Sequence, residues 1–273
     1  MSTKDFLNKI INCDCVEGMK LLDDESIDLV VTSPPYDKLR AYNGFSFDFE
    51  NTAKELYRVM KKGGVVVWVV GDQTVNGSES GTSFKQALYF KEIGFNLHDT
   101  MIYQKENPIP LTHNRYEQSF EYMFVFSKGT PKTFNGLKRK CKTEGAYTHR
   151  RNTGRVKEAA TRNRNEITIT NENTYRYNVW VYLCGSKKGE TGTHPASFPE
   201  SLAQDHIISW SNEHDIVIDP FMGSGTTAKM AILNRRDFIG FEISKEYCEN
   251  ANKRIKPYLN QINMYDILED RRD

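Results

Sequence analysis

The chain has 273 residues, of which 38% are hydrophobic and 27% charged, with a formal net charge of +1. That size and balance suit one large α/β domain, or one domain carrying an insert, and a near-neutral total names no partner. Residues 1–14 hold neither a long apolar core nor a small-residue cleavage site, and no apolar run nears the roughly 20 residues that span a bilayer. Five cysteines lack zinc-like or disulfide-framework spacing, so a reducing, cytoplasmic setting is expected, with no metal and no membrane.

Lys9 to Asp14 reads as a short strand with an acid at its carboxyl end, and Val16 to Leu22 carries apolar residues at helical spacing. Asp14 is either the N-cap of that helix or an acceptor for a ligand's amino group. Ile27 to Val31 is a β-branched, apolar strand that stops abruptly at Thr32-Ser33-Pro34-Pro35-Tyr36. Each proline fixes φ and lacks an N–H, and Pro35 pushes Pro34 towards an extended backbone. Carbonyls near Ser33 and Pro34 can then point out of a stiff loop, with a hydroxyl before them and an aromatic face behind. That is a cradle for a planar group bearing an NH₂. The same five residues also read as an ordinary turn or a polyproline ligand.

Phe49 to Met60 follows as an amphipathic helix, with Gly63 or Gly64 expected as its C-cap. Val65 to Val70 has the continuous apolar pattern of a strand buried on both faces. Gly77 to Ser83 is small and polar, which predicts a mobile loop. A helix over Ser83–Ile93, stopped by Gly94, and strands over Asn96–Gln104 and Glu121–Ser127 complete a rhythm that predicts a parallel sheet covered by helices.

From Pro131 the composition changes. Between Lys132 and Arg164 there are eleven Lys and Arg against two acids, Glu144 and Glu158, and few hydrophobic residues. This insert reads either as a solvated loop or as a phosphate-backbone contact surface, with Tyr147 and His149 available to bases. Tyr175 to Leu183 returns to strand-like sequence. A helix over Glu200–Ser211, a strand over Ile216–Asp219, a helix over Thr226–Leu233, a strand over Asp237–Phe241 and a charged helix over Lys245–Tyr258 are expected after it.

Asp219-Pro220-Phe221-Met222-Gly223-Ser224-Gly225-Thr226-Thr227, followed by a helix, a strand and Glu242, is the layout of a Rossmann-type half site. Gly223 and Gly225 allow a tight turn, the helix start supplies N–H donors, and Glu242 can take two ribose hydroxyls. The turn lacks the third glycine of a dinucleotide fingerprint and the lysine of a P-loop. A nucleoside bearing an amino-acid carboxylate fits: ribose on Glu242, and carboxylate at the turn and the hydroxyls of Thr226 or Thr227. S-adenosylmethionine is such a molecule.

Taken together, Thr32-Ser33-Pro34-Pro35-Tyr36, a basic insert, His194-Pro195-Ala196-Ser197-Phe198-Pro199 and the Asp219 to Thr227 turn resemble the β-class DNA amino-methyltransferases. The resemblance spans nearly the whole chain. It implies an α/β, Rossmann-like methyltransferase fold: a mostly parallel twisted sheet with helices on both faces, circularly permuted motif order and a basic target-recognition insert. Residues 1–131 would be the catalytic half, 132–175 the insert and 176–273 the cofactor-binding half.

The resemblance also implies roles. Asp14 would hold the adenine amino group, and Thr32, Asp219, Phe221, Gly223, Gly225, Thr226, Thr227 and Glu242 would belong to the cofactor site. His194, Pro195 and Phe198 would close over the methionine end. Ser33, Pro34, Pro35 and Tyr36 would form the pocket for a flipped-out base, with Tyr36 stacking on it. Arg40, Lys138, Arg139, Lys140, Arg150, Arg151 and Arg155 are the residues expected to contact double-stranded DNA.

Within that family, serine at position 33 leans towards N4 of cytosine and aspartate there towards N6 of adenine. Cytosine is therefore the expected target, with adenine the alternative. No Pro-Cys pair is present for a carbon-5 mechanism. An RNA or protein-amide methyltransferase, and a silent DNA-binding protein, are the further alternatives. A homodimer and a separate cognate restriction endonuclease are compatible with the resemblance and unread in this chain.

Overall fold

In a computed structural model, the structure describes residues 2–35, 47–108, 115–141, 172–184 and 199–259, and the backbone alone at 147–149, 167–169 and 260–269. The elements in chain order are β1 (Lys9–Ile11), α1 (Cys15–Met19), β2 (Ile27–Thr32), α2 (Phe49–Val59) and β3 (Met60–Val70). A hairpin of β4 (Thr74–Val75) and β5 (Ser78–Glu79) leads into α3 (Thr82–Glu92), β6 (Asn96–Lys105) and β7 (Phe120–Ser127). Four short strands come next: β8 (Lys138–Lys140), β9 (Tyr147–His149), β10 (Ile167–Ile169) and β11 (Asn173–Tyr175). The chain closes with β12 (Val179–Tyr182), α4 (Glu200–Trp210), β13 (Ile216–Asp219), α5 (Thr226–Leu233), β14 (Asp237–Phe241) and α6 (Lys245–Glu269). It divides into two compact units, Met1–Asn135 with Asn178–Asp273, and Gly136–Tyr177.

The first unit is built on an eight-stranded sheet of order β1-β14-β13-β2-β3-β7-β6-β12. Its strands run parallel except β7, which is antiparallel to both neighbours. Val65 to Val70 in β3 are each no more than 1% exposed, because helices cover both faces at the centre of the sheet. Met19 of α1, Leu56 of α2 and Phe90 of α3 pack with Val30, Val66, Trp68 and Phe126 on one face. Alternation sends Leu29, Val31, Val65 and Val67 to the other, where α4 and α5 lie against β2, β13 and β14.

From β2 the chain proceeds through α2 to β3 on one side. From β13 it proceeds through α5 to β14 on the other, and β2 and β13 are neighbours. The sheet order therefore reverses between them, and the crevice outside their carboxyl ends is where such folds bind ligands.

Four expectations change. Gly63 and Gly64 do not cap α2: the helix ends at an extended Met60 and runs straight into β3. Residues 61–64 instead form a bulge, the register moving from Ile27 opposite Met60 to Leu29 opposite Val65, with Gly63 at φ +83°. Lys61 is held by the Asp28 carboxylate at 2.7 and 2.8 Å. Gly77 to Ser83, expected as a mobile loop, contains β5 and the first turn of α3. Tyr175 to Leu183 is not one strand: β11 ends at Tyr175 and pairs with β8 in the second unit, while β12 joins the main sheet. The last helix passes Tyr258 and continues to Glu269 despite Pro257.

In the second unit β8 pairs with β11 and β9 with β10, both antiparallel. The unit runs over Gly136–Tyr177. Phe134 and Asn135 belong to the first unit, the Phe134 ring lying tilted against Trp210 at 5.1 Å and the Asn135 N–H donating to the Ser209 carbonyl.

Candidate active site

The carboxyl ends of β2 and β13 carry the two sequence motifs, and a buried carboxylate joins them. Asp219 Oδ1 accepts the Thr32 hydroxyl at 2.6 Å and the Phe221 N–H at 3.0 Å. Its Oδ2 accepts the Thr227 hydroxyl at 2.7 Å, which also lies 3.1 Å from the Val31 carbonyl. Burial pushes Asp219 up to about 6, against those three hydrogen bonds, which favour the charged form. Thr32, Asp219 and Thr227 are all buried and turn their polar atoms on one another. They tie the Ser33-Pro34 loop to the glycine turn.

The turn itself is set by two left-handed glycines, Gly223 at φ +52° and Gly225 at φ +80°. A Cβ on Gly225 would meet Ala251 at 3.2 Å, so α6 backs the turn closely. No side chain caps α5, which starts directly after Gly225. The first N–H groups of a helix lack intrahelical partners, and such an uncapped start favours an anion.

Glu242, at the end of β14, accepts the Gly223 N–H on Oε2 and the Ser244 N–H on Oε1, each at 2.8 Å. Burial pushes this carboxyl above its ordinary value. Two bonds occupy only half of what a carboxylate can accept, which leaves it capacity for further donors. Asp14 is the N-cap of α1, its Oδ1 taking Val16 N–H at 2.9 Å and Glu17 N–H at 3.2 Å. Among the described residues Oδ2 has no partner, so capping α1 leaves one carboxylate oxygen able to accept a further donor. These groups suit the nucleoside and amino-acid ends of S-adenosylmethionine.

Phe221 is half-buried and packs edge-on against Phe47 at 5.0 Å and Trp68 at 6.2 Å. Pro34 is buried, with Ser33 and Pro35 half-buried beside it. Tyr36, Arg40, His194, Pro195, Phe198, Arg150, Arg151 and Arg155 lie outside the described residues. In the second unit Lys138 and Lys140 are exposed on β8, whereas Arg139 lies over the Tyr177 ring at 4.0 Å.

Sequence reading missed a charged cluster behind the turn. Arg254 of α6 donates through Nη1 to the Ser224 carbonyl at 2.8 Å, and that nitrogen lies 3.2 Å from Thr226 Oγ1. Its Nη2 reaches Glu200 Oε1 at 2.5 Å, and Lys229 Nζ reaches the same oxygen at 2.7 Å. Burial alone would raise the Glu200 carboxyl, but Lys229 and Arg254 outweigh it and hold it below its ordinary value. The only sequence signal was an acid in the first turn of a helix, a common dipole partner. Among the described residues no group of three His, Cys, Asp or Glu side chains could hold a metal. Burial pushes the Cys13, Cys15 and Cys248 thiols upward, Cys15 to about 12, which leaves them poor nucleophiles at neutral pH.

A family model for DNA methylases of the N6/N4 methyltransferase type matches residues 27–253. The chain belongs to this family. Across 87% of its length it is 58% identical to the orphan methyltransferase M.BamHII of Bacillus amyloliquefaciens, covering 92% of that protein. With the type II methyltransferase M.HinfI of Haemophilus influenzae it shares 30% identity over 96% of its own length and 73% of the relative's. Among solved structures, the M1.HpyAVI–SAM complex superimposes with a TM-score of 0.61 at 26% identity, covering 93% of this chain and 99% of that one. The cytosine-N4-specific PvuII DNA methyltransferase gives a TM-score of 0.65 at 21% identity over 93% and 91%, a likeness of fold. The family is one of S-adenosylmethionine-dependent amino-methyltransferases of DNA. No described helix is long and apolar enough to cross a membrane.

Proposed function

We propose that this chain methylates the exocyclic N4 of cytosine in a base turned out of duplex DNA. The observation that carries the reading is Ser33, set with Pro34 at the end of β2 beside the strand that holds the glycine turn. An exocyclic amine is a poor nucleophile because its lone pair is delocalised into the ring. Acceptors on both N–H bonds favour a tetrahedral nitrogen and aim the lone pair. The Pro34 carbonyl and the Ser33 hydroxyl or carbonyl are those acceptors.

When bound, S-adenosylmethionine supplies a methyl group already activated by the sulfonium. Orientation and electrostatics are then what the protein must add. Glu242 holds the ribose, Asp14 Oδ2 the adenine amino group, and the start of α5 the carboxylate. Tyr36 stacks on the target base, and His194, Pro195 and Phe198 close the methionine end. The second unit serves target recognition through Lys138, Lys140 and the basic residues that follow. Relatives named as type II and orphan methyltransferases support a modification enzyme of that kind.

The test is transfer of labelled methyl from S-adenosylmethionine to unmethylated duplex DNA by the wild type and by Ser33→Ala. The reading expects transfer by the wild type and a loss of kcat of about tenfold or more in the variant, with cofactor affinity unchanged. Full activity in Ser33→Ala would remove Ser33 from the mechanism.

A further inference from the structure

The β4–β5 hairpin is a feature that neither the cofactor site nor the core explains. It follows β3, whose register with β2 sets Trp68 beside Thr32, so the strand ends next to Ser33 and Pro34. Neighbouring strands lie about 4.8 Å apart, and the hairpin therefore rises from the same edge as the proposed base pocket. Residues 74–79 are all exposed, Val75 by 50%. A Cβ placed on Gly77 would meet nothing within 4 Å. The hairpin packs on no core.

It is nevertheless tied down by backbone pairing and hydrogen bonds. Thr74 pairs with Glu79 and Val75 with Ser78, around an Asn76-Gly77 turn with φ +49° and +82°. Two consecutive positive φ angles at Asn-Gly give the turn that matches strand twist. Below it the Ser80 N–H donates to the Gln73 carbonyl at 2.8 Å. The buried Asp72 carboxylate accepts the Ser80 hydroxyl at 3.0 Å, the Ser83 N–H at 2.9 Å and the Ser83 hydroxyl. At the tip the Arg115 guanidinium donates to the Gly77 carbonyl.

The chemistry it presents is selective. Gln73, Thr74, Asn76 and Ser78 are neutral hydrogen-bonding groups, Val75 is apolar, and Glu79 sits 4.0 Å from Arg115 Nη1. No lysine or arginine lies between residues 73 and 80, so the hairpin's own side chains offer no cation to phosphate, and the Arg115 at its tip is engaged by the Gly77 carbonyl. Asn, Thr, Ser and a small apolar side chain are among the groups that can read base edges in a groove.

We propose that the Thr74–Glu79 hairpin enters a groove of the DNA beside the methylated base and contacts base edges there, contributing to the choice of flanking sequence. This rests on the DNA-methylating reading of the same edge. The test compares wild type with the triple variant Thr74→Ala/Asn76→Gly/Ser78→Ala, in which glycine preserves the left-handed turn. Methylated positions on unmethylated DNA are mapped by sequencing, kcat/KM is measured on the preferred site, and salt slope, cofactor affinity and melting temperature are recorded.

The expected result is a drop of about tenfold or more in kcat/KM with relaxed flanking preference. The slope of log affinity against log salt and the cofactor affinity stay unchanged. Unaltered kcat/KM and preference would overturn the proposal, as would a shallower salt slope, which marks phosphate contact, or a loss explained by weaker cofactor binding or melting. A wild type that labels no DNA would remove both readings, whereas an active wild type with an indifferent variant removes the hairpin alone.

Discussion

Thr32 donates its hydroxyl proton to Asp219 Oδ1 across 2.6 Å, joining positions 187 residues apart in sequence. One bond thus fixes the loop proposed to hold the target amine against the turn proposed to hold the cofactor. Replacing Thr32 with Val keeps the shape and removes a donor from a buried carboxylate, at a cost of about 1–3 kcal/mol. Urea unfolding of Thr32→Val at neutral pH measures it, and an unchanged midpoint would show that the bond contributes nothing.

Asp219 should also leave a pH signature. Its folded pKa of about 6 lies above the ordinary aspartate value of 3.8, so between those values the folded protein holds a proton that the unfolded chain has released. Stability attributable to this group falls as pH rises through that window and is flat outside it. The stability of wild type relative to Asp219→Asn should therefore shrink from about pH 4 to about pH 6. Unfolding free energies of both proteins at matched pH values check the sign, and a gap that widens with pH would contradict it.

Glu242→Gln keeps the size of the side chain and loses the charge that the ribose hydroxyls would meet. Hydrogen bonds to charged groups contribute about 1.5–3 kcal/mol, so cofactor affinity should fall by about tenfold to a hundredfold. Calorimetric titration with S-adenosylmethionine reads it directly. Because burial raises the Glu242 carboxyl, wild-type affinity should weaken as pH falls through that raised value, and Glu242→Gln should lack the dependence.

Arg254 grips the glycine turn from behind while its other nitrogen holds Glu200 at the start of α4. Arg254→Ala should lower stability by about 1.5–3 kcal/mol and raise the KM for S-adenosylmethionine, with Arg254→Lys recovering part of both. Steady-state kinetics with varied cofactor, alongside thermal melting, separates the two effects. Unchanged KM in a destabilised Arg254→Ala would make the cluster purely structural.

Exposed Lys138 and Lys140 on β8 should each contribute one phosphate contact. Replacing either with Ala should weaken DNA binding similarly for all sequences and make the salt slope shallower by about one unit. Fluorescence anisotropy at several salt concentrations measures this, and an unaltered slope would exclude the contact.

Much of the fold was legible where burial dictates local pattern. The expected bounds of β13, α5 and β14 match the structure, because a short apolar strand, two glycines and a helix start punctuate one another there. Legibility failed where the answer lies in a distant partner. Gly63 and Gly64 look like a helix stop, yet they serve a bulge shaped by pairing with β2. Thr32, Asp219 and Thr227 were read as cofactor residues from their motif, and only the fold brings their polar atoms together. Arg254 carried no local signal at all, since its partners come from α4 and the glycine turn. The antiparallel course of β7 likewise depends on its neighbours β3 and β6, and an apolar run does not state its direction.

The central claim is the chemistry placed at Ser33. Purified protein is incubated with unmethylated DNA and labelled S-adenosylmethionine, the DNA is digested to nucleosides, and the labelled nucleoside is identified. Label in N4-methylcytosine is the predicted result. Label in N6-methyladenine would keep the cofactor site but contradict the role given to Ser33.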